Sequence, residues 1–153
     1  MRSLVIVAVL LLVCPIPAHA QDGYIGLYTD ESHSGSCSTG QGFYPVEIWI
    51  CLLPFGYYGQ FCAEFAIQYP DNVIRSTVTE NLSLISVQLG DLSSGVSVCY
   101  VDCQYSWYWL FHQTVYVVNE IPAWIEIIKH PEYDYGMDCP VFSPCGYQRS
   151  APG

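Results

Sequence analysis

Three observations predict an all-β fold: an antiparallel β-sandwich of about eight strands, stapled by disulfides and following a cleaved signal peptide. Apolar residues along most of the chain recur with a period of two rather than 3.6. Clusters of Gly, Pro, Asn, Asp and Ser interrupt these runs at the spacing typical of sandwiches and barrels. The chain also has eight cysteines in 153 residues and opens with an export-type leader.

The leader is the first element. Arg2 gives a positive start, Leu4 to Val13 is an unbroken apolar run, and Pro15 and Pro17 end it. Ala18-His19-Ala20 places small residues at the two positions that a signal peptidase reads. The run is too short to span a bilayer. Leu11-Leu12-Val13-Cys14 imitates a lipobox, but Val13 stands where a small residue belongs, so Cys14 is expected to leave with the signal. Cleavage after Ala20 leaves 133 residues beginning at Gln21, with seven cysteines in an oxidising compartment.

The strands follow in order. Tyr24 to Thr29 opens the domain. Val46 to Leu53 alternates Val46, Ile48, Ile50 and Leu52 against Glu47, Trp49, Cys51 and Leu53. Gln60 to Tyr69 sets Phe61, Ala63, Phe65, Ile67 and Tyr69 against Cys62, Glu64, Ala66 and Gln68, which is the pattern of a strand with one buried face. The link between these two, Pro54-Phe55-Gly56-Tyr57-Tyr58-Gly59, is turn-rich and predicts a hairpin. Val73 to Thr79, Leu84 to Leu89, Val96 to Asp102, Trp109 to Val118 and Trp124 to Lys129 complete the set, each bounded by turn residues or proline. No segment has the periodicity and caps of an amphipathic helix. Asp30 to Gly42 and Pro131 to Gly153 read as loops. The expected organisation is a signal peptide over 1–20, a β-sandwich over 21–131 and a Cys/Pro/Gly-rich tail over 132–153.

Composition excludes several function classes. The expected mature chain has three basic side chains, Arg75, Lys129 and Arg149, against fourteen acids, a formal charge of −11. Nucleic acids and anionic lipids need a cationic face, so neither is an expected partner. Thirteen Tyr, four Trp and six Phe, with few charges, supply enough apolar surface for a packed core. No later run is long enough for a membrane span.

Seven cysteines leave one over when six pair. Cys51 and Cys62 sit on outward positions of the expected hairpin and suit a cross-strand bridge. Cys139 and Cys145 close a short loop. Cys37 then takes Cys99 or Cys103. Those last two are four residues apart in one strand, about 13 Å, and cannot bridge each other unless the chain turns at Asp102. No C-x-x-C pair is present, which favours structural disulfides over a metal or redox site.

The remaining candidates are sparse. Asp30-Glu31-Ser32-His33-Ser34 gathers acid, base and hydroxyls, but nucleophilic catalysis needs a base aimed at the hydroxyl and a third group orienting the base. His112 follows a run of aromatics and reads as their partly buried partner; His130 reads as a strand-end residue. Glu64 and Glu126 lie mid-strand, where the paired acids of a glycosidase could stand. Glu132, Asp134 and Asp138 around Gly136 offer oxygens to Ca²⁺, in an order that is not an EF-hand loop. Two aromatic clusters, Phe55, Tyr57 and Tyr58 in one turn and Trp107, Tyr108 and Trp109 in another, are the candidate ligand-binding groups, because exposed rings offer flat apolar surface to sugars or proteins.

Tyr24-Ile25-Gly26-Leu27-Tyr28-Thr29-Asp30 leading to Cys37, Cys62-Ala63-Glu64-Phe65, Gly95-Val96-Ser97-Val98-Cys99-Tyr100 and an Ile-Glu-Ile strand closing at His130-Pro131 together resemble a group of uncharacterised secreted bacterial β-domain proteins, over about Tyr24 to Pro131. The resemblance implies an exported bacterial protein and assigns neither an activity nor site residues. The expected function is that of a secreted or cell-envelope, non-catalytic module binding a protein, a surface polymer or copies of itself, through edge strands or the odd cysteine in the last case. The alternatives are a carbohydrate-binding module using the turn aromatics and a small secreted hydrolase using His33 or the acids.

Overall fold

The computed structural model describes residues 23–38, 43–54, 58–132, 136 and 138–145; the expected signal peptide lies outside them. Nine strands form among the described residues: β1 (Tyr24–Tyr28), β2 (Tyr44–Leu53), β3 (Gln60–Gln68), β4 (Val73–Glu80), β5 (Ile85–Asp91), β6 (Gly95–Gln104), β7 (Tyr108–Val117), β8 (Glu126–Ile128) and β9 (Val141–Pro144). No α-helix occurs among them, and so no helix is long and apolar enough to cross a membrane. All eight strands expected from the alternation are present. The ninth falls within the tail read as a loop, where only Val141 and Phe142 carry an apolar signal.

The strands make two antiparallel sheets. The first runs β1-β2-β7-β4. The second runs β5-β6-β3-β8, and β9 also pairs with β3. Alternation decides what faces what. Ile48, Ile50 and Leu52 of β2, with Phe111 and Val115 of β7, turn inward from the first sheet. Ala63, Phe65 and Ile67 of β3, with Val96, Val98 and Tyr100 of β6, turn inward from the second. Phe65 and Phe111 meet edge-on across the interface, their centroids 6.3 Å apart. Burying each large apolar side chain of this layer contributes roughly 1.5–3 kcal/mol. At the rim, Tyr69 Oη donates to Gln113 Oε1 at 2.7 Å and Gln113 Nε2 donates to the Ser76 carbonyl at 2.8 Å, so the buried carboxamide is paired.

Three expectations are corrected. β2 and β3 do not form a hairpin: β2 pairs with β1 and β7, β3 with β6, β8 and β9, and the turn between them crosses from one sheet to the other. The Cys51–Cys62 bridge fails for that reason, since outward positions on opposite sheets are separated by the whole core, about 10 Å plus two side chains. Cys62 instead bonds Cys99, directly opposite it on β6, and Cys103 bonds Cys145 rather than Cys139. Cys37, Cys51 and Cys139 are free thiols, so Cys37 takes neither Cys99 nor Cys103. Finally, Phe61 is exposed and Gln60 fully buried, because a register irregularity between Gln60 and Cys62 reverses the parity at the start of β3.

Candidate functional site: the aromatic outer face

The outer face of a sandwich sheet ordinarily carries polar residues. On the first sheet it carries rings. The register aligns Tyr28 with Trp49 and Trp49 with His112, so these three stand in one row across β1, β2 and β7. The next row is Gly26, Cys51 and Trp109, and beyond it Tyr24 stands beside Leu53. Trp49 stacks on His112 with centroids 4.1 Å apart and meets Trp109 edge-on at 5.4 Å. Trp107, in the β6–β7 link, swings over the same face. It meets Tyr24 and Tyr28 edge-on, each at 5.9 Å, and His33 stacks on it at 4.5 Å. The offset-stacked and T-shaped arrangements are those that ring quadrupoles favour.

Gly26 makes this closure feasible. A Cβ there would stand 2.8 Å from ring carbons of both Tyr24 and Tyr28, so only glycine lets the two rings fold together over β1. Under them lies Cys51, fully buried on the sheet's outward side. Burial, and then the Asp30 and Glu31 carboxylates, push its thiol up to about 11 from 9.0. Burial and the neighbouring Tyr24 push the Tyr28 hydroxyl up to about 12.

Polar groups rim the aromatics. Glu47 bonds His112 Nε2 through one carboxylate oxygen and accepts from Thr114 Oγ1 at 3.0 Å through the other. The hydroxyl therefore serves the acid and not the histidine, which is not the order of a nucleophile triad. On the opposite side Asp30 closes a turn by accepting from Ser32 Oγ, Ser34 N, Ser34 Oγ and Gly35 N. These bonds hold its carboxyl far below the usual range. The turn carries His33, in a left-handed conformation at φ 50°, onto Trp107.

The expected site residues divide. Trp107 and Trp109 belong to this face. Tyr108 points the other way: its ring packs against the core and meets Tyr100 at 5.4 Å. Tyr58 is exposed, while Phe55 and Tyr57 lie outside the described residues. His33 is engaged with rings rather than with a hydroxyl in a cleft. Glu64 and Glu126 share the outer side of the second sheet, but Glu126 pairs with Gln68, four residues along β3 from Glu64. Their backbone positions are therefore about 13 Å apart along one sheet face, rather than facing each other across a cleft. Asp138 lies 3.1 Å from Lys129 Nζ, Asp134 lies outside the described residues, and no three His, Cys, Asp or Glu among the described residues gather as a metal site around Glu132. His112 is the partner of aromatics that its sequence context implied. His130 is buried against Gly95, whose φ of 117° and missing Cβ leave room for the imidazole. Away from this face, a depression of about 390 Å³ opens between Tyr69, Pro70, Arg75 and Ser93.

Tyr24, Tyr28, Trp49, Glu47 and Thr114 were not singled out from sequence. Their signal was the parity of β1 and β2, in which the positions opposite the core carry Tyr, Trp and Glu. No protein-family model, curated protein or solved structure matches the chain.

Proposed function

We propose that the protein is a secreted, non-catalytic binding module whose working surface is the outer face of the first sheet, and that its partner is a protein or surface polymer bearing cationic groups. One observation carries the reading: Tyr24, Tyr28, Trp49, Trp107 and Trp109 gather on one outer face, Tyr24 exposed and the other four partly exposed, rimmed by the Asp30, Glu31 and Glu47 carboxylates. Apolar rings beside acids suit lysine and arginine side chains, which bury their stems on the rings and place their charge over ring faces or against carboxylates. The formal charge of the chain favours the same partners at long range. A flat sugar platform fits less well, because His112 and His33 already occupy faces of Trp49 and Trp107. The leader over Met1–Ala20 and the two disulfides support an extracytoplasmic location.

The test titrates the mature protein with decalysine, decaglutamate and a soluble neutral glucan, following tryptophan emission and heat. Decalysine is expected to bind and to shift the emission. Trp109→Ala is expected to weaken that binding at least tenfold, measured at a temperature where the variant, having lost the Trp49 edge contact, is still fully folded, and the exposed Trp124→Ala to leave it alone. Decalysine binding insensitive to Trp109 would reduce the effect to overall charge and remove the proposed surface. Glucan binding with decalysine silent would transfer the face to a carbohydrate ligand.

A further inference from the structure

Among the described residues the two sheets leave four edges, and three of them are short or interrupted. β1 is five residues long. The outer side of β3 is shared between β8 and β9, of three and four residues. β4 is broken by a register irregularity between Arg75 and Val78 and carries Arg75 and Glu80. Short strands, bulges and charges are the ordinary ways of blocking an edge from a further strand. β5 has little of this. Among the described residues it pairs only with β6; its irregularity falls at its start, between Ile85 and Val87, Gly90 turns left-handed at φ 78° near its end, the stretch from Val87 to Leu89 between them is regular, and its one charged residue, Asp91, is engaged in the turn to β6. Val87 and Leu89 project outward, 52% and 65% exposed, beside Val101 of β6 at 57%. Between them Gln88 pairs with the core residue Val98, and its Oε1 is buried without a hydrogen-bond partner among the described residues.

We propose that β5 is a self-association edge, pairing antiparallel with β5 of a second copy of this chain about a two-fold axis through Gln88. The strand is self-complementary in that arrangement. Val87 faces Leu89 of the other copy and Leu89 faces its Val87. With the two Val101 side chains they form one apolar patch on the joined outer surface. Gln88 faces Gln88 at the 4.5–5.5 Å of a cross-strand pair, and a turn of this half-buried side chain toward the edge lets the two carboxamides hydrogen-bond reciprocally, giving Oε1 a partner that it lacks where it now lies buried. An acceptor buried without a partner is unfavourable, so its pairing favours the dimer beyond the added backbone ladder. The interface is isologous and closes at two copies. It lies on the second sheet and leaves the aromatic face of the first free in both.

Sedimentation equilibrium on the mature protein at about 100 µM and about 1 µM, spanning the micromolar range of modest interfaces, tests this. The thiols Cys37 and Cys139 are changed to Ser to exclude covalent dimers. A concentration-dependent dimer is expected, weakened at least tenfold by Leu89→Lys and unchanged by Ile74→Lys on the β4 edge. In the same background Gln88→Cys is expected to cross-link to itself on mild oxidation far faster than Val87→Cys, because only residue 88 meets its own copy. A monomer throughout would overturn the proposal. A dimer indifferent to Leu89→Lys, or Val87→Cys cross-linking as fast as Gln88→Cys, would overturn it as well.

Discussion

On the outside of the first sheet Trp49 stacks on His112 and Trp109 stands edge-on to it. On the outside of the second the corresponding central positions hold the Cys62–Cys99 disulfide, flanked by Glu64 and Ser97. Both faces belong to antiparallel sheets packed on one core, yet one is held by ring contacts and the other by a covalent bond. Ring contacts of about 0.5–1.5 kcal/mol each leave a surface that a partner can engage. A cross-strand disulfide constrains the sheet without presenting anything for recognition. The difference supports the proposed use of the first sheet's outer face for binding, with the outer face of the second held covalently.

The largest expected effect breaks that division on the scaffold side. Cys62 and Cys99 are 37 residues apart, and closing such a loop restricts the unfolded chain by about 3–4 kcal/mol. The Cys62→Ala/Cys99→Ala variant should therefore unfold at roughly 10 °C lower temperature. Its near-UV circular dichroism from the Trp49–Trp109 pair is expected to persist below the transition. Loss of that signal in the folded variant would show that the two faces are not independent.

The thiols sharpen the comparison next. With its thiol raised to about 11 and its side chain sealed under Tyr24 and Tyr28, Cys51 has about a hundredfold less thiolate at neutral pH than an ordinary cysteine. Cys37 and Cys139 are exposed. Iodoacetamide followed by peptide mapping should modify those two at least a hundredfold faster than Cys51. Comparable rates would mean that the ring cover opens readily.

Gly26→Ala probes the cover directly. The new methyl group would force the Tyr24 and Tyr28 rings apart, at a cost of about 1–3 kcal/mol. Trp107 emission should shift and Cys51 alkylation should accelerate in the same variant. A stability loss with neither change would place the strain elsewhere.

Much of the fold was legible because alternation is local: most of each core strand is written in the parity of its own residues, as in Ala63, Phe65 and Ile67 of β3. Which sheet a strand joins is not local. Val46 to Leu53 and Gln60 to Tyr69 alternate identically whether the turn between them reverses within a sheet or crosses to the other, and the disulfide expectation inherited the wrong choice. A single irregular residue, as at Phe61, leaves no compositional trace. The aromatic face was half legible: Trp107 and Trp109 stood out as a cluster, whereas Trp49, Tyr28 and His33 reach them only through strand pairing and a folded turn.

The smallest expected effect concerns a device that both sheets share. Asp30 after β1 and Asp91 at the end of β5 each gather the hydroxyls and backbone N–H groups of the serines that follow. Hydrogen bonds from Ser94 and Ser93 hold the Asp91 carboxyl far below its usual range. A depressed folded-state value means that the stabilisation is present above the unfolded value, about 3.9, and is lost as pH falls below it. Because Asp91 is well exposed, solvent screening limits the effect to below about 1 kcal/mol. Asp91→Asn should lower the urea midpoint slightly at neutral pH and leave a shallower decline between about pH 4 and pH 2 than in the parent protein. Asp30→Asn should show the same sign of pH dependence and, in addition, loosen His33 from Trp107, visible as a change in tryptophan emission that Asp91→Asn does not produce. If both substitutions altered the emission equally, the turn at Asp30 would have no special hold on the aromatic face, and the contrast between the two sheets would rest on the rings alone.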